Sequence, residues 1–248
     1  MQVGIFGAGK LATAIAEEAN ALNMKAGSNP DAVRFDIIWM VDMGDPMPSH
    51  RADVAIDASV PEAVEAHLAW AIDTQTPFVI ATTGWEIPDI AARVGQSTAV
   101  LISPNFSFAV TFMRRMATQL ARFVDWYGEG DLAVLEHHHA AKKDAPSGTA
   151  KSIAQAIIAG SKRYEGWNAS GLEQWDVRKV PISSLRAGSE TGVHELVFDA
   201  PHEQLSIVHR ARNRRVFASG ALKAAQWIQG RKGVFGMDDV LESLLGNA

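Results

Sequence analysis

The sequence predicts an α/β protein in which a parallel sheet with crossover helices is followed by an α+β region. Three observations predict it. Short apolar runs alternate with helical stretches over the first 105 residues, a glycine-rich turn joins the first run to the first helix, and after Pro104-Asn105-Phe106 the strands follow one another without obvious crossover helices. A chain of 248 residues accommodates one large domain or two modest ones, each with a sizeable core.

Val3 to Phe6 is the first apolar run. Over residues 10 to 23, Leu11, Ile15, Ala19 and Leu22 recur at a spacing near 3.6, which suits a helix packed on a sheet. Ile37 to Val41, Val54 to Asp57, Phe78 to Ala81 and Val100 to Ser103 are the further strands of this half. A helix at about 60 to 72 is announced by Ser59, Pro61 and Glu62, read as a Ser/Glu capping box with an early proline. Beyond Phe106 come an amphipathic helix at about 107 to 125, a strand from Leu132 to His138 and a helix over 147 to 160. A polar stretch around Tyr164 to Gly171 leads to strands Val180 to Arg186, Val193 to Ala200 and Gln204 to Ala211. Pro201-His202-Glu203 joins the last two as a hairpin, so this region is expected to be antiparallel. The helix from Ala218 to Gly230 presents Leu222, Ala225 and Trp227 to a core and suits a return to the first domain.

Composition narrows the partners. Lys plus Arg number 23 against 28 Asp plus Glu, a net charge of −5 that argues against general nucleic-acid binding. The absence of cysteine removes disulfides, thiolate catalysis and Cys-ligated metal. No basic leader precedes the first apolar run, and no stretch approaches the roughly 20 apolar residues that span a bilayer, so a soluble, unprocessed, cytoplasmic protein is expected.

Gly7-Ala8-Gly9-Lys10-Leu11-Ala12 is a G-x-G-x-x-A string between strand and helix. Its glycines allow a tight turn and close approach of a pyrophosphate to the free N–H groups of the helix, so Gly7, Gly9, Lys10 and Leu11 are candidate cofactor-binding residues. Asp42, ending the second strand, can accept hydrogen bonds from ribose hydroxyls, though it lies further on than the usual ~20 residues, and an exposed loop aspartate is the plain alternative. Asp42 favours NADH modestly over NADPH, while Lys10 and Arg51 would attract the extra phosphate of NADPH. Thr82-Thr83-Gly84 and Pro104-Asn105-Phe106 both follow strands, where open α/β sheets bind ligands.

The densest cluster runs from Glu136 through His137, His138 and His139 to Lys142, Lys143, Asp144 and Ser147-Gly148-Thr149. Strand alternation turns His137 and His139 to one face and His138 to the other. With no cysteine, no H-E-x-x-H helix and no evident carboxylate partner spacing, proton and charge chemistry is the better reading of these histidines than a metal site. Ser147-Gly148-Thr149 opens a helix and offers hydroxyls and N–H groups to an anion, or simply caps the helix. Arg210, Arg212, Arg214 and Arg215, with Lys142, Lys143 and Lys151, suggest a cationic pocket for a small polyanion.

Glu136-x-His138-His139-x-x-Lys142-x-Asp144-Ala145-Pro146-Ser147-Gly148-Thr149-Ala150 resembles the signature of the 4-hydroxy-tetrahydrodipicolinate (dihydrodipicolinate) reductase family of lysine biosynthesis. The likeness extends to Asp57-Ala58-Ser59-x-Pro61-Glu62-Ala63, Thr82-Thr83-Gly84, Pro104-Asn105-Phe106-Ser107, Arg186-x-Gly188-x-x-x-Gly192-x-His194 and Phe217-Ala218-x-Gly220-Ala221. The first turn departs from the family's G-x-x-G-[RK]-M-G pattern. The resemblance implies a Rossmann-type dinucleotide-binding domain of residues 1–106 and 216–248, with an inserted α+β domain of residues 107–215 for substrate and homotetramer formation. It also implies NAD(P)H-dependent reduction of a small cyclic dicarboxylate. In that reading His138 is the general acid and Lys142 its donor or electrostatic partner. His139, Ser147, Gly148, Thr149 and Arg214 hold the two carboxylates, Thr82, Thr83 and Gly84 line the nicotinamide site, and Asn105 and Phe106 form its edge. Closure of one domain on the other would exclude water. The alternatives are another two-domain amino-acid dehydrogenase, sharing only the nucleotide half, and a nucleotide-sensing protein without catalysis.

Overall fold

A computed structural model describes residues 1–169 and 176–246. Part of the polar stretch expected around Tyr164 to Gly171 lies outside the described residues. In chain order the elements are β1 (Gln2–Phe6), α1 (Lys10–Ala26), β2 (Asp36–Val41), β3 (Val54–Asp57), α2 (Val64–Asp73), β4 (Phe78–Ile80), α3 (Ile90–Val94), β5 (Ala99–Ile102), α4 (Phe108–Tyr127), β6 (Asp131–His138), α5 (Gly148–Gly160), β7 (Gly166–Ala169), β8 (Lys179–Arg186), β9 (Val193–Ala200), β10 (Glu203–Arg210), α6 (Arg215–Trp227), β11 (Gly233–Phe235) and α7 (Met237–Leu245). They form two units, Met1–Phe108 with Arg214–Ala248, and Ala109–Asn213.

The first unit is built on a six-stranded sheet in the order β11-β5-β4-β3-β1-β2, every pair parallel. Val54 to Asp57 and Phe78 to Ile80 are buried at every position, as strands covered on both faces must be. The last strand comes from the chain's return: β11 is only three residues long, too short for periodicity to reveal, and adds itself beside β5. α6 packs on α1, and buried Glu18 of α1 pairs with Arg215 of α6 at 2.7 Å. Gly220 of α6 lies so close to the Phe106 backbone that a Cβ there would come within 1.8 Å of the Phe106 carbonyl oxygen.

The start of α2 differs from the expected capping box. Val60 precedes a 3-10 turn at Pro61–Ala63 and no side chain caps it. The Ser59 hydroxyl instead donates to Asp57 at 2.7 Å, because that buried carboxylate is the stronger acceptor within reach.

The second unit holds a five-stranded sheet in the order β10-β9-β6-β8-β7. It is mixed, which corrects the antiparallel expectation. β9 runs antiparallel to β6 and β10, but β8 is parallel to both β6 and β7. The helix over 147–160, α5, is itself the crossover between β6 and β7, and β7 is four residues inside what reads as a polar stretch. The hairpin of β9 and β10 forms as expected, with Glu203 opposite Ala200. Met113, Ala117 and Leu120 of α4 and Ile153, Ala154 and Ile157 of α5 pack with Leu132, Val134, Val180, Ile182, Leu196 and Phe198 on one face of the sheet. On its other face Leu135, Leu185 and Val208 are exposed.

Candidate active site

In the first unit the carboxyl ends of β1, β2 and β3 surround a cavity of about 270 Å³ lined in part by Gly7, Gly9, Asp42, Ser59 and His67. Gly7 has φ +104°, and a Cβ would lie 2.5 Å from the Ala58 carbonyl oxygen, so only glycine fits this turn. Gly9 is the N-cap of α1, with no side chain capping the helix and open space where a Cβ would be. The first-turn N–H groups therefore face a concavity with no acidic residue in that turn, an arrangement that favours an anion. A dinucleotide pyrophosphate fits this cradle. Asp42 lines the cavity from the end of β2, where it can reach ribose hydroxyls, while Lys10 opens α1 and is exposed.

Asp57, fully buried at the end of β3, organises the neighbouring loops. It accepts hydrogen bonds from the Ser59 N–H at 3.1 Å, the Ser59 hydroxyl and the Thr82 hydroxyl, and pairs with His67 Nδ1 at 2.6 Å. The His67 ring stacks on Phe6 with centroids 4.0 Å apart. Thr82 Oγ1 also accepts the Ser59 N–H at 2.9 Å. Thr82 is thus a strut between loops, and Thr83 and Gly84 are the exposed members of that turn. Asn105 Oδ1 accepts the Ser107 N–H at 2.8 Å, which shapes the turn after β5. The Phe106 ring is buried in the core.

In the second unit Leu132, Val134, Glu136 and His138 alternate onto the covered face of β6. His137 is on the opposite face, its Nε2 2.9 Å from the Ala187 carbonyl oxygen. Glu136 is the centre of this site. Its Oε1 accepts from the Ser147 N–H at 2.9 Å, the Ser184 hydroxyl at 2.6 Å and Arg186 Nη2 at 2.7 Å. Its Oε2 lies 2.9 Å from His138 Nδ1 and 3.9 Å from His194 Nε2. Burial works to raise the Glu136 pKa, but the hydrogen bonds from Ser147, Ser184 and Arg186 outweigh it and bring the group down to about 2.

Burial lowers the pKa of His138; Glu136 opposes that effect and the Lys142 charge adds to it. Burial, assisted by the His138 charge, pushes His194 down to about 3. Lys142 Nζ binds Asp144 Oδ1 at 2.7 Å, and Arg186 also donates to the Asp144 carbonyl at 2.6 Å, so two cations border the histidines. Ser147 caps α5 by accepting the Ala150 N–H at 3.2 Å, and its hydroxyl lies 3.2 Å from His194 Nε2. Gly148 and Thr149 follow in the first turn of the helix, which carries no acidic residue. An imidazole, two cations and a helix N-terminus can together bind an anion and move a proton.

The profile described as dihydrodipicolinate reductase, N-terminus, matches residues 1–106, and that described as dihydrodipicolinate reductase, C-terminus, matches residues 109–241. The chain belongs to the dihydrodipicolinate reductase family. A 4-hydroxy-tetrahydrodipicolinate reductase from Magnetococcus marinus is 36% identical over 200 residues, covering 77% of this chain and 73% of that protein. One from Rickettsia bellii is 32% identical and covers 99% of this chain and 96% of its own. The fold is that of a dipicolinate-bound dihydrodipicolinate reductase from Paenisporosarcina sp. TG-14, with a TM-score of 0.74, 21% identity and coverage of 97% of this chain and 99% of that one.

Within this member of the reductase family, the second unit by itself brings together His138, Lys142 and Ser147. His139 continues beyond β6, its N–H bonded to the Glu190 carbonyl at 2.8 Å. Arg214 is exposed at the N-cap of α6 in the first unit. Of the basic residues singled out in the sequence, Arg210 pairs with Glu190, Arg215 with Glu18, and Lys151 lies over the Trp167 ring at 5.6 Å. Arg186 is the cation bound to Glu136, and sequence reasoning assigned it no role. Glu136 and His194 were missed in the same way. The absence of a carboxylate partner for the histidines is also corrected, since side-chain atoms of Glu136, His138 and His194 lie within 4.8 Å of one another. The signal was in the strand period, which places Glu136 on the face of His138.

Proposed function

We infer that the protein catalyses the NAD(P)H-dependent reduction of 4-hydroxy-tetrahydrodipicolinate to tetrahydrodipicolinate in lysine and diaminopimelate biosynthesis. The observation that carries this reading is the His138, Lys142 and Ser147 constellation, in a chain that the two halves of the family match over residues 1–106 and 109–241. Bound reduced nicotinamide supplies a hydride. Gly7, Gly9 and the N-terminus of α1 hold the pyrophosphate, Asp42 takes the adenosine ribose, and Thr83, Gly84 and Asn105 serve the nicotinamide end. His138 Nε2 gives a proton to the carbanion-like product of reduction, and Lys142 stabilises the negative charge. His139, Ser147, Gly148 and Thr149 take the substrate carboxylates, and the family resemblance assigns a carboxylate to Arg214 as well.

NADH is favoured over NADPH through Asp42, with Lys10 narrowing the difference. The apolar open face of the second unit's sheet, with Leu135, Leu185 and Val208, supports assembly through this unit as a homotetramer. Dependence on reduced nicotinamide supports a cytoplasmic location, and among the described residues no helix is long and apolar enough to cross a membrane. The test is to couple purified protein to dihydrodipicolinate synthase and follow reduced nicotinamide. Synthase-dependent oxidation is expected, and folded protein that gives none with either cofactor overturns the reading.

A further inference from the structure

We propose that Glu136 is a positioning residue for proton transfer, its Oε2 holding the His138 ring with a protonated Nδ1 turned to the carboxylate and Nε2 left for the substrate. This rests on the reading of His138 as the proton donor. The two oxygens of Glu136 divide their work. Oε1 receives three donors, from Ser147, Ser184 and Arg186, which anchor the carboxylate to α5 and β8. The nearest group to Oε2 is His138 Nδ1 at 2.9 Å, with His194 Nε2 at 3.9 Å, and both Oε2 and Nδ1 are buried with no other partner among the described residues. A lone pair on Nδ1 at that distance would be repelled by the carboxylate, whereas an N–H is attracted, so the proton of the neutral ring is held on Nδ1.

Nε2 then is the nitrogen that loads and unloads. It makes no hydrogen bond among the described residues, and glycine at position 192 keeps a side chain away from it: a Cβ there would lie 3.0 Å from Nε2. In the reaction the imidazolium N–H bond at Nε2 breaks as the substrate carbon takes the proton. Its electron pair stays on the ring, which is left neutral with Nδ1 protonated, and solvent returns the proton to Nε2. His194 is the other imidazole near Oε2, but it is further away, its Nε2 lies beside the Ser147 hydroxyl, and burial keeps it uncharged. The groups that set His138 are therefore Glu136 and Asp144, which favour its charged form, and Lys142 and Arg186, which oppose it. His194 stacks against His209 behind it.

Glu136→Gln tests the proposal, read by ¹⁵N NMR of histidine-labelled protein and by the pH profile of kcat. The wild type is expected to show the Nδ1-protonated tautomer of His138 and the Gln variant to lose it. The kcat of the variant should fall by about 10²-fold, within the range of general acid–base catalysis, with KM changed less than about threefold. Its high-pH limb should move to lower pH, since the carboxylate favouring the imidazolium is gone. Glu136→Asp, which restores the charge, should recover part of kcat and of the limb. An unchanged tautomer and an unmoved limb in Glu136→Gln, whatever its kcat, overturn the proposal, and Glu136→Asp is read the same way if the Gln variant does not fold. A wild type without synthase-coupled activity would instead overturn the reductase reading, leaving the tautomer result to stand by itself.

Discussion

Ser147 and Glu136 lie eleven residues apart and meet at 2.9 Å, the backbone N–H at the start of α5 donating to the carboxylate at the end of β6. The contact ties the strand that carries His138 to the helix that Ser147 caps. His138 and the N-terminus of α5 are thereby built on one corner rather than on independent loops.

His138→Ala and Lys142→Ala are each expected to lower turnover by about 10²- to 10⁴-fold while leaving NADH affinity unchanged. His137→Ala, on the opposite face of β6, should matter far less. Gly192→Ala should also reduce turnover, because its Cβ would crowd Nε2 of His138. Steady-state kinetics alongside NADH titration separate these cases; equal losses for His137→Ala and His138→Ala would contradict the observed strand register.

Thr82 and Thr83 are neighbours with different expected phenotypes. Removing the Thr82 hydroxyl as Thr82→Val deprives buried Asp57 of a donor and should cost about 1–3 kcal/mol of stability. Thr83→Ala should leave unfolding unchanged and weaken cofactor binding. Denaturant melts and fluorescence titration with NADH distinguish them, and a stable Thr82→Val protein would show that Asp57 is satisfied by its other partners.

Cofactor preference is expected to follow two charges. Asp42→Ala should shift the ratio of kcat/KM toward NADPH, and Lys10→Ala should shift it toward NADH. Charged hydrogen bonds of roughly 1.5–3 kcal/mol set the scale of the Asp42 effect at about 10- to 150-fold before Lys10 compensates. Neither substitution moving the ratio beyond about twofold would place ribose recognition elsewhere.

Acidification should destabilise the second unit in two steps. His194 has its folded pKa depressed to about 3, so its contribution is complete above its ordinary value of 6.5 and is lost as pH falls from there toward 3. Glu136, depressed to about 2 from 4.5, contributes above 4.5 and its share disappears as pH falls to 2. Urea melts of His194→Gln should be flatter than wild type over the first window, and those of Glu136→Gln over the second. Parallel curves for wild type and both variants would refute this account.

Much of this arrangement was legible in residue order. The period of Leu11, Ile15 and Ala19 gave α1, and the alternation through β6 correctly separated His137 from His138. Sequence was a poor guide where an element is short or its partner distant. β7 and β11, of four and three residues, carry too little pattern to stand out, and their pairing with β8 and β5 alone makes them strands. Ser59 was misread as a cap because local order cannot show that the buried Asp57 carboxylate competes for its hydroxyl.

By itself the sequence determined the α/β class, the glycine turn at Gly7 and Gly9, and the family through the run from Glu136 to Ala150. These depend on local periodicity, on φ/ψ requirements and on residue identity, all carried within a few positions of the chain. Tertiary structure alone decided that β6 and β8 run parallel, that Arg186 and His194 join Glu136 and His138, and that Arg210 and Arg215 are committed to Glu190 and Glu18. The physical reason is range. Arg186 is 50 residues from Glu136, and their 2.7 Å contact exists only once hydrophobic burial has brought β8 beside β6.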